Sequence, residues 1–419
     1  VDISVLLTVF TGSCSFLLLT THLMLTFRLR FPQKKIFSGI RETFLQPGGF
    51  SGLSVQLAAT LGVGNISGLA LAVVSGGPGA VFWCWFSGVL GIATAYAEAL
   101  LSLKTRRPPT PCGTWNAAGN RLGRFYAFMI ACAGIPLGAM IPSSSLARSV
   151  SPSPLYTVLP LTVLTALVVL GGNTRIRQTC ERLIPATALL YSVSCIGIIV
   201  CCRDCLPAAL QSIFREAFRF HGVFAGLGGG TVITVTGFHA MREGIARGLF
   251  SNEAGLGTAG IAAGEFSPGD AEKQALVSAT GVFWDTVIFC ALTGVAFVCA
   301  FLSFGRPSPD ADTFCRAVFD LLPAGHTVLT VCLLALGTAC IFGWCSIGSR
   351  AFSHAFPACF SKAYPILWTA AVFCGAFASQ DILWQVSDFL NAAALLLNIL
   401  ILWKYYGLFI YYHKQDSQF

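Results

Sequence analysis

Thr60-Leu61-Gly62-Val63-Gly64-Asn65-Ile66-Ser67-Gly68 lies in the middle of an apolar run over residues 50–75. A run of that length and character reads as a membrane span, which needs about 20 mainly apolar residues. The nonapeptide is nevertheless a poor continuous helix. It carries three glycines, each worth up to ~1 kcal/mol less than alanine in a helix interior. Within a bilayer, non-helical backbone is tolerated only where protein or a wet cavity satisfies its N–H and C=O groups. Two readings follow. Either the span breaks here and its freed backbone groups bind a ligand, or the small residues let two helices pack closely.

Working outward, the whole chain has the composition of a membrane protein. Of its 419 residues 55% are hydrophobic and only 11% charged, with a mean hydropathy of +0.73. Soluble domains run near a quarter charged. Eleven apolar spans are expected, over 3–27, 50–75, 79–103, 125–147, 154–171, 183–201, 222–246, 274–304, 325–347, 363–378 and 382–403. Residues 405–412 extend the last helix or lie as an aromatic strip at the interface. The first span is not expected to be a targeting peptide. It follows Asp2 instead of a basic region and is too long for a signal sequence.

The net charge of +8 does not point to nucleic acid, because the basic residues fall in short clusters between apolar runs. Arg28–Arg41, Lys104–Arg124, Arg175–Arg182, Arg242, Arg247, Lys273, Arg350, Lys362, Lys404 and Lys414 share one side. Arg148, Arg203, Arg215, Arg219, Arg306 and Arg316 take the other. Twenty against six, out of 26, is a positive-inside bias. It places the N-terminus outside and the C-terminus in the cytoplasm of a bacterial cell, as an odd number of spans requires.

Most of the 17 cysteines stand singly inside apolar runs and act as small hydrophobes. Cys201, Cys202 and Cys205 cluster, but no second pair or nearby histidine makes them a zinc site. They read as packing residues or as a chance disulfide. Gly49-Phe50-Ser51-Gly52 has the form used by intramembrane serine proteases. Without a histidine base at convincing depth, this tetrapeptide is weak.

A second glycine-rich stretch, Gly226 to Gly237 with Thr231, Thr234 and Thr236, interrupts the seventh span. Breaks in the second and seventh spans suggest two five-helix halves of opposite topology. An inverted-repeat secondary transporter is built this way, with its site between the breaks. Asp285 lies too deep in the eighth span to snorkel. Intramembrane acids mark pathways or hydrogen-bonded struts, and both roles stay open. Glu98 and Asp388 read as interfacial. His239 is the histidine best placed to carry a proton, with packing as its alternative role.

These stretches resemble the alanine/glycine:cation symporter family. The resemblance is carried by Leu57–Gly68, Gly76–Trp83, Ala246–Gly257 (ARGLFSNEAGLG), Thr280–Thr286, Gly343-Trp344 and Asp388–Asn391, in order over residues 48–400. It implies an all-α LeuT-type fold of two inverted five-helix repeats, at 48–221 and 222–404. One extra helix and a basic loop precede them at 1–47, and a tail follows at 405–419. It also implies sodium-coupled uptake of alanine or glycine by alternating access. Carried over residue by residue, the substrate contacts fall on Gly62, Val63, Gly64, Asn65, Pro142, Thr234, Thr236, Cys340 and Trp344. Trp344 would act as the lid that limits side-chain size. Sodium falls on Gly62, Val63, Thr338 and Ala339.

The chain departs from the family pattern at several of these positions. Val63 replaces a threonine, Ala139, Pro142 and Ser144 replace amides, and Ala339 and Cys340 replace hydroxyls. Each change removes a hydrogen-bonding group worth ~0.5–1.5 kcal/mol net. Two other readings therefore stand beside the symporter. One is a carrier of the same fold for another solute, coupled to protons or to nothing. The other is a membrane sensor whose site has decayed.

Overall fold

A computed structural model describes residues 3–107, 112–150, 153–219, 236–265, 269–304 and 310–407. The described residues form helices and connecting turns with no strand. Those that carry the architecture are α1 Ile3–Arg28, α2 Gly49–Thr60, α3 Ser67–Gly76, α4 Gly79–Thr105, α5 Asn120–Ser149, α6 Pro154–Val169, α7 Asn173–Cys201, α8 Thr236–Asn252, α9 Thr258–Ala262, α10 Ala271–Phe304, α11 Gly325–Ala355, α12 Ala363–Gly375 and α13 Gln380–Lys404. Their outward faces carry exposed Phe, Leu and Val (Phe16, Leu159, Leu167, Leu189, Ile366 and Leu400 among them). Such faces are stable only against lipid.

Seven described helices are long and apolar enough to cross a membrane, and eight if the bent pair α2/α3 is one span. Helix α6 has 16 residues and α12 has 13, which are short for a full crossing. The expected seventh span, 222–246, falls mostly outside the described residues. The first and last helices run side by side in the same direction. Phe10 packs on Phe389 at one end, and Arg28 lies 4.5 Å from the Tyr406 ring at the other. The start of α1 and the end of α13 thus lie at opposite ends of the bundle. Tyr405 is anchored on the Ala117 carbonyl, and 408–412 lie outside the described residues.

Close backbone approach brings α5 and α11 to the centre. At Gly343 of α11 a Cβ would stand 2.3 Å from the Ala59 nitrogen, and at Gly138 of α5 it would stand 2.2 Å from the Trp344 Cβ. Neither position accepts a side chain without moving a helix. The stretches Ile135–Met140 of α5 and Phe283–Cys290 of α10 are wound as π-helix, a local widening that re-aims side chains and often accompanies function.

Two sequence expectations are corrected here. Arg242 and Arg247 do not lie with the basic cluster. They line a cavity with Thr11, Cys14 and Asp388, at the end of the bundle where His239 meets the Ser75 carbonyl. Lys104 pairs with Glu272 and Lys273 with Glu42 at the opposite end. Moving two arginines narrows the charge bias without reversing it. For the same reason His239 is not at mid-depth, since it sits in the first turn of α8. The deeply buried histidine is His22 of α1, whose Nδ1 lies 2.6 Å from Thr94 Oγ1.

Candidate transport site at two helix breaks

The chain bends by 59° between α2 and α3, where the glycines and Asn65 predict a break. Gly62 is extended, and Val63–Asn65 form a single 3-10 turn. The Asn65 side chain closes this turn from within. Its Oδ1 accepts the Gly62 N–H at 3.2 Å, and its Nδ2 donates to Asp285 Oδ1 at 2.7 Å. Asn65 therefore serves as a strut, and both ends of its amide are engaged by the protein.

A second break separates α8 from α9 at Glu253–Gly257. Glu253, Gly255 and Gly257 all have positive φ, at 55°, 110° and 86°. The helix cannot continue through three such residues in five. The Glu98 carboxylate of α4 holds the loop, its Oε1 accepting the N–H groups of Gly255 at 2.8 Å and Gly257 at 3.1 Å. Asn398 Nδ2 reaches the same oxygen at 2.8 Å, and the Tyr126 hydroxyl donates to the Leu256 carbonyl. Freed backbone groups inside a bundle need such partners. The expected break between Gly226 and Gly237 lies outside the described residues up to 235. The break seen here falls some 17 residues later, in the stretch whose sequence carries the family resemblance most specifically.

Asp285 joins the two breaks. It is fully buried in the π-wound part of α10 and accepts from Asn65 of the first break. It also accepts from Ser251 at 2.7 Å, two residues before Glu253, and from Thr286 at 2.8 Å. A carboxylate taken out of water demands such donors. Of the two roles open in the sequence, the strut is the one seen.

Between the breaks lies a small cavity lined by Ala59, Thr60, Gly62, Val63, Gly64, Leu137, Ile141, Pro142, Glu253, Cys340 and Trp344. Trp344 is completely buried, and its Nε1 donates to Glu253 Oε1 at 2.7 Å. Cys340 Sγ donates to the Ala59 carbonyl at 3.4 Å. The cavity offers about 20 Å³, room for a water-sized occupant but not for an amino acid. It shares no lining residue with the polar cavity of about 750 Å³ at the Arg106, Arg124 and Arg350 end. Nor does it share any with the cavity of about 270 Å³ at the Arg247 and Asp388 end. Admitting a solute as large as an amino acid requires this space to widen.

Of the residues expected from sequence, the structure brings Gly62, Val63, Gly64, Pro142, Cys340 and Trp344 to this cavity, with Asn65 directly behind it. Thr234 lies outside the described residues. Thr236 begins α8, about 24 Å along that helix from its far end at 1.5 Å per residue. Thr338 and Ala339 do not line the cavity. At 3.6 residues per turn, Thr338 sits roughly 200° around α11 from Cys340, so its hydroxyl faces elsewhere. Glu253 and Glu98 were missed as site residues. Glu253 stood in plain view within the Ser251–Gly257 stretch, and an acid followed by glycines two and four residues on was the available signal. Ser51 donates to Glu181 of α7, a tie between helices, not a nucleophile held by a base. Cys201, Cys202 and Cys205 form no disulfide.

Two discontinuous helices facing each other at the centre of an apolar bundle define a secondary transporter, because half-helix ends and unwound backbone are what such carriers use to hold solute and ion. The comparisons agree with that class. The chain belongs to the sodium:alanine symporter family, whose signature matches residues 3–415. It is 34% identical over 414 residues to the sodium/alanine symporter AgcS of Methanococcus maripaludis, covering 92% of this chain and 89% of that protein. It is 26% identical to the probable sodium/glutamine symporter GlnT of Bacillus subtilis, covering 92% and 83%. The fold is similar to that of MhsT solved with L-phenylalanine, with a TM-score of 0.60 at 14% identity over 85% of this chain and 88% of that one.

Proposed function

We infer that this chain imports a small neutral amino acid, of alanine or glycine size, by symport with sodium. The observation that carries the reading is the Trp344-walled cavity between the breaks at Gly62–Asn65 and Glu253–Gly257. The start of α3 beside Gly64 suits a carboxylate, because it presents the positive end of a half-helix. Trp344 is the wall that limits the solute to a short side chain once the cavity widens. Sodium is cargo in this scheme, and its entry drives the solute. One charge crossing ~100 mV yields ~2.3 kcal/mol, and a tenfold ion gradient adds ~1.4 kcal/mol. Together these sustain a solute gradient of several hundredfold.

In this reading eleven spans form two inverted repeats after an extra helix, in the cytoplasmic membrane, with the N-terminus outside. The work is translocation without bond chemistry, so the chain is not an enzyme. Its partners are the amino acid, the ion and lipid, with no nucleic acid. A second reading, a carrier of the same fold for a different solute, draws on Val63, Pro142 and Cys340, three positions where the cavity wall lacks a strong hydrogen-bonding group. It also draws on the glutamine named for one relative.

Uptake of labelled alanine, glycine and serine into proteoliposomes, with sodium and pH gradients imposed separately, distinguishes these readings. Alanine uptake should follow the sodium gradient, and Trp344→Ala should extend it to larger neutral amino acids. Uptake driven by the pH gradient alone, or a solute without a carboxylate preferred over all three, would overturn the assignment.

A further inference from the structure

Two buried polar atoms at the central cavity have no hydrogen-bond partner: Thr60 Oγ1, at the end of α2, and Glu253 Oε2, in the second break. Both residues line the cavity, and they are only 6% and 2% exposed. The Thr258 hydroxyl stands beside the Glu253 carboxylate without closing a regular bond to Oε2. Unmatched buried carboxylate oxygens are costly, and in native proteins they call for an occupant or a role. Here the carboxylate is also held in place. Trp344 Nε1 fixes Oε1, and the backbone of Glu253 is kept at φ 55°, a conformation that persists in a non-glycine residue only when its surroundings impose it.

The chemistry of the two atoms selects the occupant. Both are hard oxygen donors, one of them a carboxyl oxygen, which suits a hard cation. The space, about 20 Å³, holds an ion or a water as it stands, so the ion can occupy it before the cavity widens for the amino acid. On the α11 side the cavity presents only the Cys340 sulfur, a poor ligand for such an ion. Building on the sodium-symport reading, we propose that Glu253 Oε2 and Thr60 Oγ1 bind the co-transported sodium ion. The site thus lies between the two breaks and not on Thr338 and Ala339. The same carboxylate orients Trp344 through its other oxygen, so the ion sets the position of the substrate lid. That shared group gives ion and amino acid a physical means of coupling.

The test uses the full chain, purified and in proteoliposomes, with Glu253→Gln and Thr60→Val, which preserve side-chain shape. Alanine uptake is measured against sodium concentration at fixed pH. Sodium-induced thermal stabilisation is measured in parallel, with potassium as control. For Glu253→Gln the half-saturating sodium concentration should rise at least 30-fold, and for Thr60→Val roughly 3- to 10-fold. The sodium-specific stabilisation should disappear in the first and shrink in the second. Wild-type sodium dependence in both variants would overturn the proposed site. So would a Glu253→Gln protein that keeps its sodium response but loses a response to an imposed pH gradient, since the carboxylate would then carry a proton. If Glu253→Gln cannot be recovered folded, Thr60→Val decides alone, and an unchanged sodium response there sinks the proposal. Absence of sodium dependence in the wild type would mean instead that the symport reading itself has failed.

Discussion

Replacing Asp285 with alanine is expected to abolish transport and to destabilise the protein by about 3–5 kcal/mol, since three buried donors lose their acceptor at ~1–3 kcal/mol each. Its carboxylate is the shared acceptor for Asn65, Ser251 and Thr286, so one truncation releases both breaks together. Asn65 cannot compensate by turning its amide over, because its Oδ1 already accepts the Gly62 N–H. Asp285→Asn separates the two effects. Its oxygen can serve Ser251 and Thr286, but its NH2 then faces the NH2 of Asn65. Uptake should fall by more than 100-fold in both variants, while the thermal midpoint should recover partly in the asparagine form. Uptake within threefold of wild type in Asp285→Ala, measured on folded protein, would show that the breaks hold their shape without this strut.

The second large effect is expected at Gly64. It lines the cavity on the α3 side, and valine there would add three carbons to a space of about 20 Å³. Overpacking of this kind costs ~1–3 kcal/mol even when neighbours adjust. Here the added carbons also occupy the place assigned to the solute carboxylate. Gly64→Val should fold, because its stability loss is bounded, and should neither bind nor transport alanine. Gly64→Ala should retain weakened transport. Wild-type uptake by Gly64→Val would place the solute elsewhere.

The parts of this architecture that were legible in the sequence share one property, contrast with their surroundings. Gly62, Gly64 and Asn65 stand out because the residues around them are apolar, and the bend forms there. Asp285 stands out for the same reason, though the sequence left open whether it was a strut. The break at Glu253–Gly257 went unread because Arg242, Glu243, Arg247 and Glu253 dilute hydropathy across α8. An apolar-run criterion stops before reaching Gly255 and Gly257. Those charges are tolerated since they meet one another and a cavity: Arg242 pairs with Glu243, and Arg247 stands over the Trp384 ring. Glu98 was read as interfacial from its distance to the helix end. Only the fold reveals that Gly255, Gly257 and Asn398 converge on it from residues about 160 and 300 positions away. The error at Thr338 was one of helical phase, since adjacency in sequence is a turn of 100° in space.

In the proposed function the transported amino acid binds between the two breaks, against Cys340 and Trp344. The most direct measurement is the rate of alkylation of Cys340 by a membrane-permeant maleimide, read residue by residue by mass spectrometry. It would be made with and without alanine in the presence of sodium. Cys345, buried on the same helix one turn and a half further on and outside the cavity lining, is the internal control. Saturating alanine with sodium should slow modification of Cys340 at least tenfold and leave Cys345 unchanged. Equal rates at Cys340 with and without alanine, in protein shown to transport it, would contradict the account.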